Sequence, residues 1–194
     1  MGQQKENNFM AGKLLLSMPT MSDPRFFKSV IFICTHDENG AMGLMINNPV
    51  PGLNFKDLLK QLNVEFAPTM EKKLGDIKVM GGGPVETARG FILHGTDFIQ
   101  KDTIKINEKI SVTGTIDAIK EIAANNGPKE MVFVLGYAGW SAGQLEDEIQ
   151  NNAWLLIDTD HDLIFNTTSD EKWDKAIKKL GIDPSMLSGE AGRA

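Results

Sequence analysis

Residues Glu130–Tyr137 (EMVFVLGY) are too uniformly apolar for a strand with one face in water. Half-exposed strands alternate apolar and polar side chains, so this run predicts a central strand covered on both faces. Such a strand needs neighbours on both edges and further layers above and below. The rest of the chain offers them. Ser29–His36 and Ala41–Asn47 read as two strands joined by Asp37-Glu38-Asn39-Gly40, whose Asn-Gly ending suits a hairpin. Ile77–Met80, Phe91–His94, Ile104–Ile106 and Ile110–Thr113 read as short strands, and Trp154–Asp158 with Leu163–Phe165 as a second hairpin around Thr159-Asp160-His161. Pro49 and Pro51 are expected to break the chain out of the strand before them.

Four helices are expected from caps followed by apolar residues at helical spacing. Asn54 precedes Phe55, Leu58, Leu59 and Leu62; Thr115 precedes Ile116, Ile119 and Ile122. Ser141 with Gln144, and Thr168 with Glu171, have the spacing of capping boxes, the second ahead of Trp173, Ala176, Ile177 and Leu180. About eight strands and four helices result, and most strands neighbour another strand in sequence. The arrangement predicts an α+β fold with mostly antiparallel or mixed sheets, since a doubly wound parallel sheet would need a helix between successive strands. No linker, repeat or low-complexity tract interrupts it, so one domain is expected over residues 12–187, with flexible tails at 1–11 and 188–194.

A chain of 194 residues with 41% hydrophobic content and one Cys can build its core without disulfides. Neither a secretory apolar segment nor an apolar run of about 18 residues is evident, which predicts a cytoplasmic protein without a membrane span. The net charge of −6 opposes attraction to phosphate backbones, so direct nucleic-acid binding is not expected.

Gly139-Trp140-Ser141-Ala142-Gly143 has the G-x-S-x-G form of a nucleophile elbow and stands between a buried strand and a helix. A hydrolase of that kind needs an imidazole to activate the serine. His161 follows it and His94 precedes it, so an enzyme reading takes Ser141 as nucleophile with His161 or His94 as base. The competing reading gives the Ser141 hydroxyl to a helix end, which leaves the protein without catalytic residues. Gly81-Gly82-Gly83 after a strand could offer backbone N–H groups to an anion, with Arg89 nearby, but Pro84 follows at once and no Walker or dinucleotide spacing is present. Cys34 and His36 share a strand face and His94 ends another strand, yet no ligand spacing accompanies them. Asp158-Thr159-Asp160-His161-Asp162 starts like a calcium loop and fails at Leu163 and Ser169. No metal or cofactor is expected. The binding candidates are Gly81, Gly82, Gly83, Arg89, His94, Tyr137, Trp140 and Gln144, at strand ends where one surface could gather them for a small molecule or a protein partner.

Taken together, these segments resemble the YqgE/AlgH family of small bacterial proteins. The resemblance is carried by Gly12-Lys13-Leu14-Leu15, Asp23-Pro24-Arg25-Phe26, Gly82-Gly83-Pro84-Val85, Arg89-Gly90-Phe91, Leu135-Gly136-Tyr137-Ala138-Gly139-Trp140, Gly143-Gln144-Leu145-Glu146 and Leu180-Gly181-Ile182-Asp183. It implies a compact α+β domain whose curved sheets fold partly into one another in a barrel-like way. No enzymatic activity is generally established for that family, and one branch carries a label of transcriptional regulator without a DNA-reading element, which implies an indirect role. Glycine is usual in the family at the position of Ser141, which implies that this serine is not a shared nucleophile. Thr35 and Ala142 depart from the family's usual acidic residue and proline.

Overall fold

The computed structural model describes residues 10–187. The expected tails, 1–11 and 188–194, lie outside the described residues except for Met10 and Ala11, where Met10 O accepts the Lys13 N–H in a turn. The chain opens with β1 (Leu14–Ser17), β2 (Val30–Asp37) and β3 (Gly40–Met45), then β4 (Pro49–Asn54) and α1 (Phe55–Gln61). After α2 (Glu71–Asp76) come β5 (Lys78–Gly81), β6 (Val85–Gly95), β7 (Ile104–Lys105), β8 (Ile110–Thr113) and α3 (Ile116–Ala123). The long β9 (Met131–Ser141) is followed by α4 (Gln144–Gln150), β10 (Trp154–Ile157), α5 (His161–Phe165) and α6 (Lys172–Lys179). The fold class is α+β. Its ten strands and six α-helices among the described residues exceed the expected count, chiefly because β1, β4, α2 and α5 were not anticipated. None of these helices is long and apolar enough to cross a membrane.

Two compact units result, one formed by Asn48–Ala138 and one by the segments on either side of it. In the Asn48–Ala138 unit, β9 has the two-sided environment its sequence demands. Its Phe133, Val134 and Leu135 pair in parallel with Val79, Met80 and Gly81 of β5, and its other edge pairs antiparallel with β6. Beyond β6 lie β8 and then β7, both antiparallel; β5 is flanked by β4. The prolines of β4 sit in a strand that pairs only with β5, through Pro49 to Met80 and Asn54 to Lys78 with an irregular register between. The strand before them, β3, does end ahead of Pro49 as expected; the prolines themselves lie in a new strand, and an edge strand tolerates proline where its missing N–H is not needed by the ladder. Asn54 Oδ1 accepts the Asp57 N–H at 2.9 Å and starts α1, and Thr115 caps α3 in the same way. Phe55, Leu59, Leu74, Val79, Ile92, Ala118, Ile122 and Phe133 form the core of this unit, with the Phe55 and Phe133 rings edge to face at 5.0 Å.

Between Val85, opposite Tyr137, and Gly90, opposite Leu135, β6 makes an excursion of residues 86–89 that β9 does not match. The glycines make this possible. Gly136 has φ +75°, and a Cβ there would stand 2.8 Å from Gly83 O and 3.0 Å from Val85 O. Such approaches need backbone without a side chain.

The other unit has an antiparallel sheet in the order β10, β1, β2, β3. Gly40 and Gly43 of β3 lie directly against Trp140 at the end of β9. The expected hairpin at 154–165 is corrected on its second arm: β10 pairs with β1, while 161–165 is helix. Asp160 decides this, because its carboxylate accepts the Leu163 N–H at 2.9 Å and caps the first turn. At the other end the buried Lys172 Nζ donates to the carbonyls of Leu163, Ile164 and Thr167 at 3.1, 2.7 and 2.7 Å. Three donors meet three acceptors, most of them orphan carbonyls of that last turn. Trp173 Nε1 donates to Ser17 O at 2.9 Å and ties α6 to β1.

Replacing Gly136 by Ala should cost at least about 2 kcal/mol, because a side chain in the left-handed region is strained by roughly 1 to 3 kcal/mol before the contact with Gly83 is counted. Urea unfolding of Gly136→Ala against the parent checks this, and an unchanged midpoint would show that the bulge does not depend on the glycine.

Candidate functional site

Ser141 ends β9 in the unit built from the flanking segments. Its backbone N–H and its hydroxyl both donate to Gln144 Oε1, at 3.0 and 3.1 Å. The expected cap is corrected here. α4 is preceded by Gly143 at φ +74°, with no side chain capping it, so the residue that closes the turn is Gln144 reaching back and not Ser141 reaching forward. Gln144 Nε2 in turn donates to Glu148 Oε1 at 2.8 Å. Glu148 Oε2 accepts two indole N–H groups, from Trp140 at 2.9 Å and Trp154 at 2.7 Å, and the two rings meet edge to face. One carboxylate thus fixes the end of β9, the start of β10 and the first turn of α4.

An amide oxygen is not a base, so the Ser141 proton has no acceptor that could carry it away during an attack. His161 stands at the start of α5 with its ring 5.0 Å from that of Phe165 and Nδ1 4.0 Å from Asp162. The buried His36 has Nε2 2.7 Å from Glu146 Oε1. The Glu146 carboxyl is held below its ordinary value, first by its own backbone N–H and then by that imidazole. Cys34 is buried with its thiol pushed up to about 12 by burial, the reverse of what a reactive thiolate needs.

In the Asn48–Ala138 unit, Gly81 N–H donates to Asn48 O, Gly82 N–H donates to Leu135 O, and Gly82 and Gly83 pack on the backbone of Gly136 and Tyr137. The glycine triplet is used up in strand contact, with the first two of its N–H groups already bonded. Arg89 lies in the excursion of β6, paired with Glu86 at 3.2 Å and stacked 5.1 Å from the Phe91 ring. His94 is 0% exposed, with Nδ1 2.7 Å from Gly95 O and Nε2 2.8 Å from Thr113 Oγ1. It is a core residue.

What this unit does leave open is a cleft of about 150 Å³ lined by Leu58, Leu62, Ala88, Gly90, Gly114, Ile116 and their neighbours. α1 supplies Leu58 and Leu62 one turn apart, and α3 supplies Ile116 and Ile119. Leu62 and Ile116 remain 42% and 45% exposed at its rim. The floor is low because Gly90 has no side chain; a Cβ there would stand 3.0 Å from the Phe133 ring. The helical spacing of Leu58, Leu62, Ile116 and Ile119 pointed to core positions, and nothing in sequence separates a core leucine from one on a cleft rim. Glu148 and Trp154 were likewise missed, since their partnership is fixed by tertiary contact.

The two hydroxyl-network positions differ sharply in what they hold. Glu148→Ala leaves two indole N–H groups without an acceptor and should destabilise the protein by about 3 kcal/mol, whereas Ser141→Ala should cost under about 1 kcal/mol. Urea unfolding followed by tryptophan fluorescence measures both, and a larger loss at Ser141 would overturn this ranking.

Relatives bear on the whole chain. An AlgH-like family model matches residues 14–185. A UPF0301 protein of Rhodopseudomonas palustris strain HaA2 is 49% identical over 198 residues, covering 100% of this chain and 90% of its own. Another, from Bradyrhizobium sp. strain BTAi1, is 49% identical over 190 residues, covering 96% and 88%. The solution structure of the AlgH protein from Pseudomonas aeruginosa is 38% identical, with a TM-score of 0.77 and 100% of both chains covered. A crystal structure from Corynebacterium diphtheriae shares the fold at a TM-score of 0.68, over 97% of this chain and 93% of the other, with 16% identity. The chain belongs to the AlgH-like family.

Proposed function

We propose that this protein is a non-catalytic binding module, and that its Asn48–Ala138 unit admits one apolar group in the cleft between α1, α3 and the sheet. The observation that carries the reading is the contrast between this cleft and every polar candidate. Ser141, His94 and the Gly81–Gly83 segment all spend hydrogen-bonding groups inside the scaffold, and Arg89 is paired with Glu86. The cleft walls are apolar and half open, with leucine and isoleucine side chains at the rim, the kind of surface a folded chain leaves uncovered where it binds. Its volume, about 150 Å³, matches one ring or one branched side chain and is too small for a nucleotide. A serine hydrolase is disfavoured because the Ser141 hydroxyl donates to an amide oxygen.

A regulatory role would then run through the bound group or partner. A net charge of −6 does not support contact with DNA phosphates. A cytoplasmic location is consistent with the absence of a long apolar helix among the described residues.

Benzene serves as an apolar probe of the right volume. In methyl-resolved NMR it should shift Leu58, Leu62, Ile116 and Ile119, and Ala88→Trp, which fills the cleft from the exposed excursion of β6, should abolish those shifts. Shifts confined to other methyls, or shifts that persist in Ala88→Trp, would remove the cleft from consideration.

A further inference from the structure

We infer that residues 96–103 form an acid-released latch over His94, independent of the apolar cleft. The argument starts from hydrogen-bond direction. Gly95 O can only accept, so Nδ1 of His94, 2.7 Å away, carries the proton and Nε2 is an acceptor. The Thr113 hydroxyl, 2.8 Å from Nε2, must therefore donate to it. Thr113 Oγ1 then receives the Thr103 hydroxyl at 2.7 Å, and Thr103 Oγ1 receives the Gln100 N–H at 2.8 Å. The chain runs one way only, from Gln100 through two threonines into the imidazole.

Among the described residues, two further ties hold the segment. Phe98 places its buried ring edge to face with the imidazole at 5.2 Å, and Asp97 Oδ2 accepts the Lys129 N–H at 2.9 Å. Phe98 also belongs to the hydrophobic core of the unit, a tie that costs burial to break at any pH, so the tie that responds to acid is the one through His94.

A proton on Nε2 reverses its role. Thr113 Oγ1 must then accept from the ring, and its own proton loses its acceptor: it can turn to Thr103 Oγ1, which still accepts the Gln100 N–H, only by displacing the Thr103 hydroxyl proton from Thr113, so one buried hydroxyl is left without the partner it had. The imidazolium would also be a buried cation, since His94 and Thr113 are each 0% exposed. Both costs vanish if residues 96–103 lift and water reaches the ring. Charged groups on the surrounding elements are Asp97, Lys101 and Asp102 on the segment, Lys105 on β7, Lys109 before β8, and Lys129 and Glu130 before β9. Lys105 is occupied by Glu108 at 2.9 Å. Asp97 favours the imidazolium electrostatically, as does the Gly95 carbonyl, but burial outweighs both and holds His94 below the ordinary histidine value.

The sign follows from that direction. The open form protonates near the ordinary histidine value of about 6.5 and the closed form only at lower pH, so acidification below roughly 6.5 favours opening, by up to about tenfold for each unit separating the two. Opening would bring Phe98 to the surface beside Ile99, which is already 76% exposed.

Amide hydrogen exchange of residues 98–103, corrected for the intrinsic pH dependence, is the test. Protection should fall between pH 7.5 and 5.0 in the parent, by no more than about thirtyfold, the limit set by the distance from pH 5.0 to the ordinary histidine value. His94→Gln keeps a donor and an acceptor and should remove the pH dependence. In the parent, ring ¹⁵N shifts should report Nδ1–H and an unprotonated Nε2 at pH 7.5, and their titration should coincide with the loss of protection. Titration of the ring with protection unchanged would overturn the latch, as would an equal loss in His94→Gln. If that variant does not fold, the comparison of ring titration with exchange in the parent decides alone.

Discussion

A strand with no wet face must give all of its backbone groups to neighbouring strands, because an unpaired buried N–H or C=O costs about as much as a lost hydrogen bond. β9 meets this demand with β5 on one edge and β6 on the other. The parallel pairing with β5 has a topological consequence: a parallel neighbour cannot be joined by a tight turn, so the chain between them must travel. In this protein β6, β7, β8 and α3 fill that journey, and β6 and α3 line the cleft together with Phe133 and Leu135 of β9 itself. Covering β9 and building the cleft are one structural event.

The glycines follow from the same pairing. β6 must hold to β9 at Val85 and again at Gly90 while residues 86–89 swing out between them. Gly136 lets the backbones close beneath the excursion, and Gly90 lets Phe133 lie flat where a side chain would stand. Ala88, in the excursion, and Gly90, just past it, both line the cleft. A cavity bounded this way is not loose packing. It is the space left when a strand held at two points bows outward over an aromatic floor.

How legible this was in sequence depends on the range of the interaction. The central strand, the β2–β3 hairpin, and the helices begun by Asn54 and Thr115 were all readable because each is decided within a few residues. Asp160 shows the limit. In Thr159-Asp160-His161 it read as a turn residue, and a turn and a helix N-cap use the same Asp geometry; only the three carbonyls taken up by Lys172, five to nine residues further on, make the helix worth forming. β4 was hidden by its prolines, which exclude a central strand but not an edge one. At the site, the Gly-Trp-Ser-Ala-Gly segment drew attention to Ser141, while the residue that organises the turn is Glu148, whose indole partners lie eight positions before it and six after.

The two polar chains also show why chemistry-bearing residue types are a poor guide to chemistry. A catalytic hydroxyl needs its proton aimed at a group that can accept it and its oxygen aimed at open space. The Ser141 hydroxyl and the two threonines before His94 are each donors to a fixed acceptor within the protein, and each acceptor is in turn held by something else. Such chains have a direction and an end, and their effect is to hold backbone segments in place. Surface that is left unsatisfied therefore identifies the recognition site better than residues of catalytic type. By that criterion the leucines and isoleucines around Gly90 and Gly114 outrank the serine and the histidines.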